Sequence, residues 1–370
     1  MIKIISPVFI FTLLIFLIFT FLFIDPNLIY FHKFYTGFAL DNRTIATFLY
    51  VFLVSILFIF YIVFLKNHKN VDIKKLVFIS CIILFFSYPA ILSYDIFNYL
   101  TTAKVLSFYK ESPYIIMPIE FAGDPFLLFT RAANKIALYG PAWLAISGVS
   151  FLLGFGNFIL ALFNLKLLIV LFYLGSLRMI YKISKSKESV LFFALCPLVM
   201  VESLVSSHND IVMMFFALLS VSFLRSKRIL PAILFLLMSI LIKYATIFLL
   251  PVFIYTAIRT VTNKKIDWEK VYFYSFISML AIFLLSILRE EIYPWYAIWL
   301  LSFLVLMSRN KLIDYSFIAL TFGLMLSYAP YMYSGSYFGV SHVVRILFIF
   351  LPSFITLSYL IFKNLSRALQ

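Results

Sequence analysis

The stretch Ser93-Tyr94-Asp95-Ile96-Phe97-Asn98-Tyr99 sets a carboxylate where a long apolar run ends. Three other groups carry side chains capable of chemistry. These are Lys104 to Asp124, containing Glu111-Ser112-Pro113-Tyr114; Ser207-His208-Asn209-Asp210, with Glu202 just before it; and Lys243 between Ile242 and Tyr244. Charges set against hydrocarbon are costly, so those that persist there usually handle a proton or an ion. Asp95 is the carboxylate best placed to accept a proton. Each group also has a plainer reading. Asp95 could pair with Lys104 at a helix end, and Ser112-Pro113-Tyr114 could be a turn reset by proline. Asn209 and Asp210 could cap the next helix. Lys243 could snorkel to the interface along its aliphatic stem. His32, His68 and His342 show no ligand spacing, and Tyr293, Trp295 and Tyr296 read as interfacial belt.

The elements that must position these groups are membrane helices. Of 370 residues, 64% are hydrophobic and 20% aromatic, with a mean hydropathy of +1.08; soluble domains average about 45–50% apolar. Runs long enough to cross a bilayer core, roughly 18 residues or more, recur throughout. The reading is an all-α polytopic membrane protein, residues 1–370 forming a single integral membrane domain. About twelve spans are expected, at roughly 4–24, 44–65, 76–93, 158–180, 189–206, 210–224, 230–244, 245–260, 271–288, 295–308, 312–330 and 343–362. The apolar stretch after Lys3 is too long for a signal-peptide core and is followed by Asp25-Pro26-Asn27, so it reads as a retained first span. Cys81 and Cys196 fall inside apolar runs and read as small hydrophobes, indicating neither a disulfide nor a metal site.

The net charge of +15 is spread so that it reports topology rather than nucleic-acid binding. Basic clusters such as Lys66/Lys69/Lys74/Lys75, Arg178/Lys182/Lys185/Lys187 and Arg259/Lys264/Lys265/Lys270 lie between apolar runs, which makes those segments cytoplasmic. Asp25, Asp41, Asp95, Glu111, Glu120, Asp124, Glu202, Asp210, Glu290 and Glu291 fall at the other face. The run from Pro141 to Gly154 is short for a crossing, and a crossing there would flip every later cluster. It reads as an interfacial helix inside a large outer loop, 94–157, that carries Asp95. All four groups then lie in the outer half of the membrane.

Their order resembles a known family. Tyr94-Asp95-Ile96-Phe97-Asn98-Tyr99, Ser112-Pro113-Tyr114 and Tyr139-Gly140-Pro141-Ala142-Trp143 are similar to the first outer loop of polyprenol-phosphate-sugar-dependent glycosyltransferases of the GT-C superfamily. The closer likeness is to their bacterial and archaeal α-mannosyltransferase branch, related to the first mannosyltransferase of GPI-anchor synthesis. His208-Asn209-Asp210 and Lys243 to Pro251 match later parts of that pattern, and the likeness covers roughly residues 76 to 260. Ser112 stands where the pattern has Asn, and Gly140-Pro141-Ala142 where it has Pro-Pro-Leu. The resemblance implies transfer of a sugar, mannose foremost, from a polyprenyl-phosphate donor to a glycan or glycolipid hydroxyl, with inversion. It implies Asp95 as the general base, because an alcohol is a weak nucleophile until its proton is taken. It implies a cation for the departing phosphate, Lys243 first, with Arg345 and Lys166 behind it. Tyr94, Tyr99, Tyr114, Glu202, His208, Asn209 and Asp210 are the remaining substrate-binding candidates. No cofactor is required, although Asp95 and Asp210 could share a divalent cation. Membrane lipid is the surrounding partner, and the plasma membrane of a prokaryote, with an extracytoplasmic site, the expected location. A transporter or lipid flippase is the alternative, but the chain has only 10 glycines and no internal repeat. An acyltransferase or polysaccharide polymerase is a second rival, and a non-enzymatic scaffold would leave the intramembrane charges without a reason.

Overall fold

The computed structural model describes residues 2–30, 37–289, 291–336 and 339–368. His32 and Glu290 lie outside the described residues. Among the described residues there is no strand. In chain order the main helices are α1 (Ile2–Phe21), α2 (Arg43–Lys66), α3 (Ile73–Phe85), α4 (Asp95–Ser107), α5 (Pro141–Leu152), α6 (Phe158–Ser184), α7 (Lys187–Ala194), α8 (Pro197–Val205), α9 (Asp210–Arg225), α10 (Ile229–Ile242), α11 (Tyr244–Val261), α12 (Trp268–Arg289), α13 (Pro294–Leu304), α14 (Lys311–Leu326) and α15 (Val340–Ala368). Several begin at side-chain caps that the sequence supplies. Asp72 Oδ1 accepts the Lys75 N–H at 3.1 Å, Asn157 Oδ1 that of Leu160 at 3.0 Å, and Ser186 Oγ that of Ser189 at 3.1 Å.

The protein is an all-α polytopic membrane protein. Among the described residues, seven helices are long and apolar enough to cross a bilayer, or eight if α7 and α8, bent by 62°, form one broken span. The twelve expected spans fall on helices, but several of these are short. α3, α9 and α10 have 13, 16 and 14 residues, or about 20–24 Å of helix against a hydrocarbon core of about 30 Å. Hydropathy alone cannot separate such shortened helices from full crossings.

The loop that carries Asp95 has a core of its own. Phe97 of α4 packs edge-on to Phe129 at 5.2 Å between centroids, while Phe126 and Phe129 lie 5.2 and 5.0 Å from Phe158 at the start of α6. Tyr30 stacks on Phe158 at 4.6 Å. Edge-to-face and offset pairs add about 0.5–1.5 kcal/mol each beyond simple burial. Lys104, on the same helix as Asp95, donates to Asp124 Oδ1 at 2.8 Å and lies over the Phe126 ring. Lys104 thus belongs to Asp124, which removes the plain pairing of Asp95 with Lys104. α5 has 12 residues, too few to cross, and it packs against α4, α6 and α10.

Candidate active site

Two charged clusters meet where α4, α8, α9 and α13 come together with the junction of α10 and α11. In the first, Asp95 stands in the opening turn of α4, its N–H bonded to Ser93 Oγ at 3.2 Å. Its Oδ2 is 3.4 Å from His208 Nδ1, and His208 Nε2 is 3.3 Å from Glu202 Oε2. The other oxygen of Glu202 accepts the Tyr328 hydroxyl at 2.9 Å. The His208 ring is stacked on Trp295 at 3.8 Å, and Trp295 in turn on Tyr293 at 4.6 Å. The backbone reaches this geometry through unusual turns. Glu202 sits in a π-helical turn, Val201–Val205, a widening often found at functional sites. Ser207 takes a left-handed φ of 58°, a conformation costly for a non-glycine residue.

The second cluster centres on Asp210, in the first turn of α9, where the helix dipole favours negative charge. Lys243 Nζ donates to both Asp210 oxygens, at 2.9 and 3.2 Å, and Trp299 Nε1 donates to Oδ1 at 2.6 Å. Lys243 is extended (φ −151°, ψ 125°) and interrupts the helix between α10 and α11. Its ammonium lies 4.7 Å from the Tyr296 centroid and 5.4 Å from that of Trp299, a cation–π cradle. Lys243 therefore does not snorkel.

Exposure separates these groups. The side chains of Glu202, His208 and Asp210 are 0% exposed, whereas Asp95 is 25% and Lys243 20% exposed. Burial would push the Asp95 carboxyl up, but His208, Lys243 and Tyr139 outweigh it and hold the group below the usual carboxylate range. Burial would likewise discharge His208, yet Asp95 and Glu202 push it up to about 9.

The remaining candidates divide. Asn209 is fully buried, caps nothing, and neither end of its amide has a partner, which corrects the capping reading. Tyr99 packs between Tyr139 and Trp143, at 4.8 and 4.9 Å between centroids, with its hydroxyl buried. Tyr114 donates to the Tyr139 carbonyl at 2.9 Å, so Ser112-Pro113-Tyr114 is a turn that also clamps the next motif. Tyr94 turns away from Asp95. Its hydroxyl bonds Asp25 Oδ2 at 3.0 Å beneath the Arg131 guanidinium, which binds the same oxygen at 2.9 Å. Arg345 pairs with Glu291, placing it on the segment that leads to Trp295. Lys166 is not brought to Asp210. It donates to the Ser87 carbonyl at 2.7 Å and that of Leu84 at 3.4 Å, at the end of α3. Among the described residues no group of three or more His, Cys, Asp or Glu could hold a metal ion.

Sequence reasoning misses Trp299 and Tyr328, has Tyr139 in a motif without a role of its own, and takes Trp295 and Tyr296 for belt residues. They line the cluster instead. The available signal was Trp295 and Trp299 one helical turn apart, a few residues after Glu290-Glu291.

An all-α membrane protein with an acidic cluster open at one carboxylate is the class that fold and site define. A family model described as the N-terminal domain of alpha-(1->6)-mannopyranosyltransferases, the MptA/B family, matches residues 33–259, more than half the chain. The chain belongs to that family: it is a glycosyltransferase acting on mannose. No curated protein and no solved structure matches it.

Proposed function

We propose that the protein moves mannose from a polyprenyl-phosphate donor to a hydroxyl of a glycan or glycolipid, with inversion, at the extracytoplasmic face of a prokaryotic plasma membrane. Asp95 is the general base. The observation that supports this reading is the split in exposure: one carboxylate and one amine reach the surface while their partners are sealed. As the acceptor oxygen attacks the anomeric carbon, its proton passes to Asp95. The bond from that carbon to the phosphate oxygen breaks, and its electron pair leaves on the polyprenyl phosphate. General-base assistance of this kind contributes about 10²–10⁴-fold. Lys243, held by Asp210, faces the charge that develops on the leaving phosphate. His208 and Glu202 are closed to solvent, so they act through Asp95 rather than by binding sugar. Inversion to the alpha linkage of the family description requires a β-linked donor.

Membranes holding the protein, given β-linked polyprenyl-phosphate [14C]mannose and a glycolipid acceptor, should form a labelled product that persists in EDTA. A product formed only from a nucleotide-linked mannose would remove the lipid donor. Loss of product in EDTA would show that a divalent cation is required. For topology, Glu120→Cys should react with an impermeant maleimide on intact cells. Reaction only after permeabilisation would move the site to the cytoplasmic face.

A further inference from the structure

Between Asp95 and Lys243 runs the dipeptide Tyr139-Gly140, whose tyrosine faces the Asp95 carboxyl. The Gly140 N–H donates to the Ile242 carbonyl at 3.1 Å, at the residue directly before Lys243. A Cβ at Gly140 would lie 2.0 Å from the Leu241 carbonyl oxygen and 2.6 Å from its carbon, so only glycine permits this approach. On the other side, the Tyr139 ring packs edge-on to Tyr99, which follows Asp95 by one turn of α4. The Tyr139 carbonyl is itself held by the Tyr114 hydroxyl at 2.9 Å. Pro141 then opens α5 with φ already fixed for a helix, which stiffens the far end.

We propose that Tyr139-Gly140 is a strut that sets the separation between Asp95 and Lys243, with Gly140 as its positioning residue. The proposal rests on the reading of Asp95 as base and Lys243 as cation, and adds the part that holds them in register. The atoms opposing a Cβ belong to backbone at the end of α10, which cannot rotate away as a side chain could. A larger residue must therefore displace the break that carries Lys243 and loosen its bonds to Asp210. Misplacement of a catalytic group by about 1 Å can cost on the order of 100-fold.

The test compares Gly140→Ala and Tyr114→Phe with the unaltered protein in detergent. The first readout is the rate at which Lys243 is reductively methylated, followed by mass spectrometry with the other lysines as internal references. The second is kcat and KM for β-linked polyprenyl-phosphate mannose. Expected is faster methylation of Lys243 in both variants, with kcat lowered on the order of tenfold or more in Gly140→Ala and about threefold in Tyr114→Phe. Acceptor KM should stay within about twofold, since the acceptor meets Asp95. Unchanged Lys243 methylation in both variants overturns the strut. Faster methylation with unchanged kcat overturns its positioning role. Should Gly140→Ala fail to fold, Tyr114→Phe, which keeps the ring and removes one hydroxyl, decides alone. Activity in an Asp95→Asn variant would remove the base assignment yet leave the methylation result standing, so the two failures are distinguishable.

Discussion

Lys166 and Lys243 look alike in the sequence, each a lone amine in an apolar run, and the structure sets them in different surroundings. Lys166 lies within the unbroken helix α6, is 1% exposed, and spends its ammonium on the carbonyls of Ser87 and Leu84. It closes the end of α3 much as a cation favours any helix C-terminus. Lys243 stands in a backbone break, shares its charge with a buried carboxylate under two aromatic rings, and keeps part of its surface open. Interrupted helix, carboxylate partner and residual exposure together set the amine proposed for the site apart from one spent on a helix end.

Replacing the two lysines should give opposite profiles. Lys243→Met leaves Asp210 buried without its cation, and breaking such a pair costs about 3–5 kcal/mol. Transfer should fall by at least about 100-fold. Lys243→Met combined with Asp210→Asn should recover the unfolding temperature but not the transfer; recovery of both would make the pair purely structural. His208→Gln comes next, with transfer lowered about tenfold. The unaltered enzyme should lose rate on an alkaline limb centred near pH 9, and the variant should lack that limb. The sign follows from linkage. The folded ring titrates above its ordinary value of about 6.5, so its stabilisation is complete below that pH and fades as pH rises through about 9. A limb that persists in His208→Gln would assign the titration elsewhere. Smallest in activity is Lys166→Met, expected to retain transfer within about threefold while losing about 1–3 kcal/mol of stability from the Ser87 carbonyl left unpaired. A large loss of transfer with unchanged stability would return Lys166 to the chemistry and erase the contrast.

Much of this was legible before any coordinates. Composition and alternating charge made an all-α membrane protein unavoidable, and the order Asp95, His208-Asn209-Asp210, Lys243 pointed to residues that the fold gathers. The span count was not legible, because helices such as α3 and α10 carry the hydropathy of a crossing without its length. Trp295, Tyr296 and Trp299 were hidden for a different reason. An aromatic residue near a span end satisfies the interfacial pattern whether it faces headgroups or stacks on a buried histidine, and only the tertiary contact tells these apart. Arg345 was credited on charge alone; its partner Glu291 is set by how the start of α15 meets the segment before α13.

The chemistry proposed for this membrane site hangs on whether Asp95, the one carboxyl among Asp95, Glu202 and Asp210 left partly exposed, takes up the hydroxyl hydrogen. The decisive measurement is the initial rate of mannose transfer from β-linked polyprenyl-phosphate mannose by Asp95→Asn, purified beside the unaltered enzyme and matched to it in thermal unfolding. A fall to background is the predicted result; a rate within tenfold of normal contradicts the account.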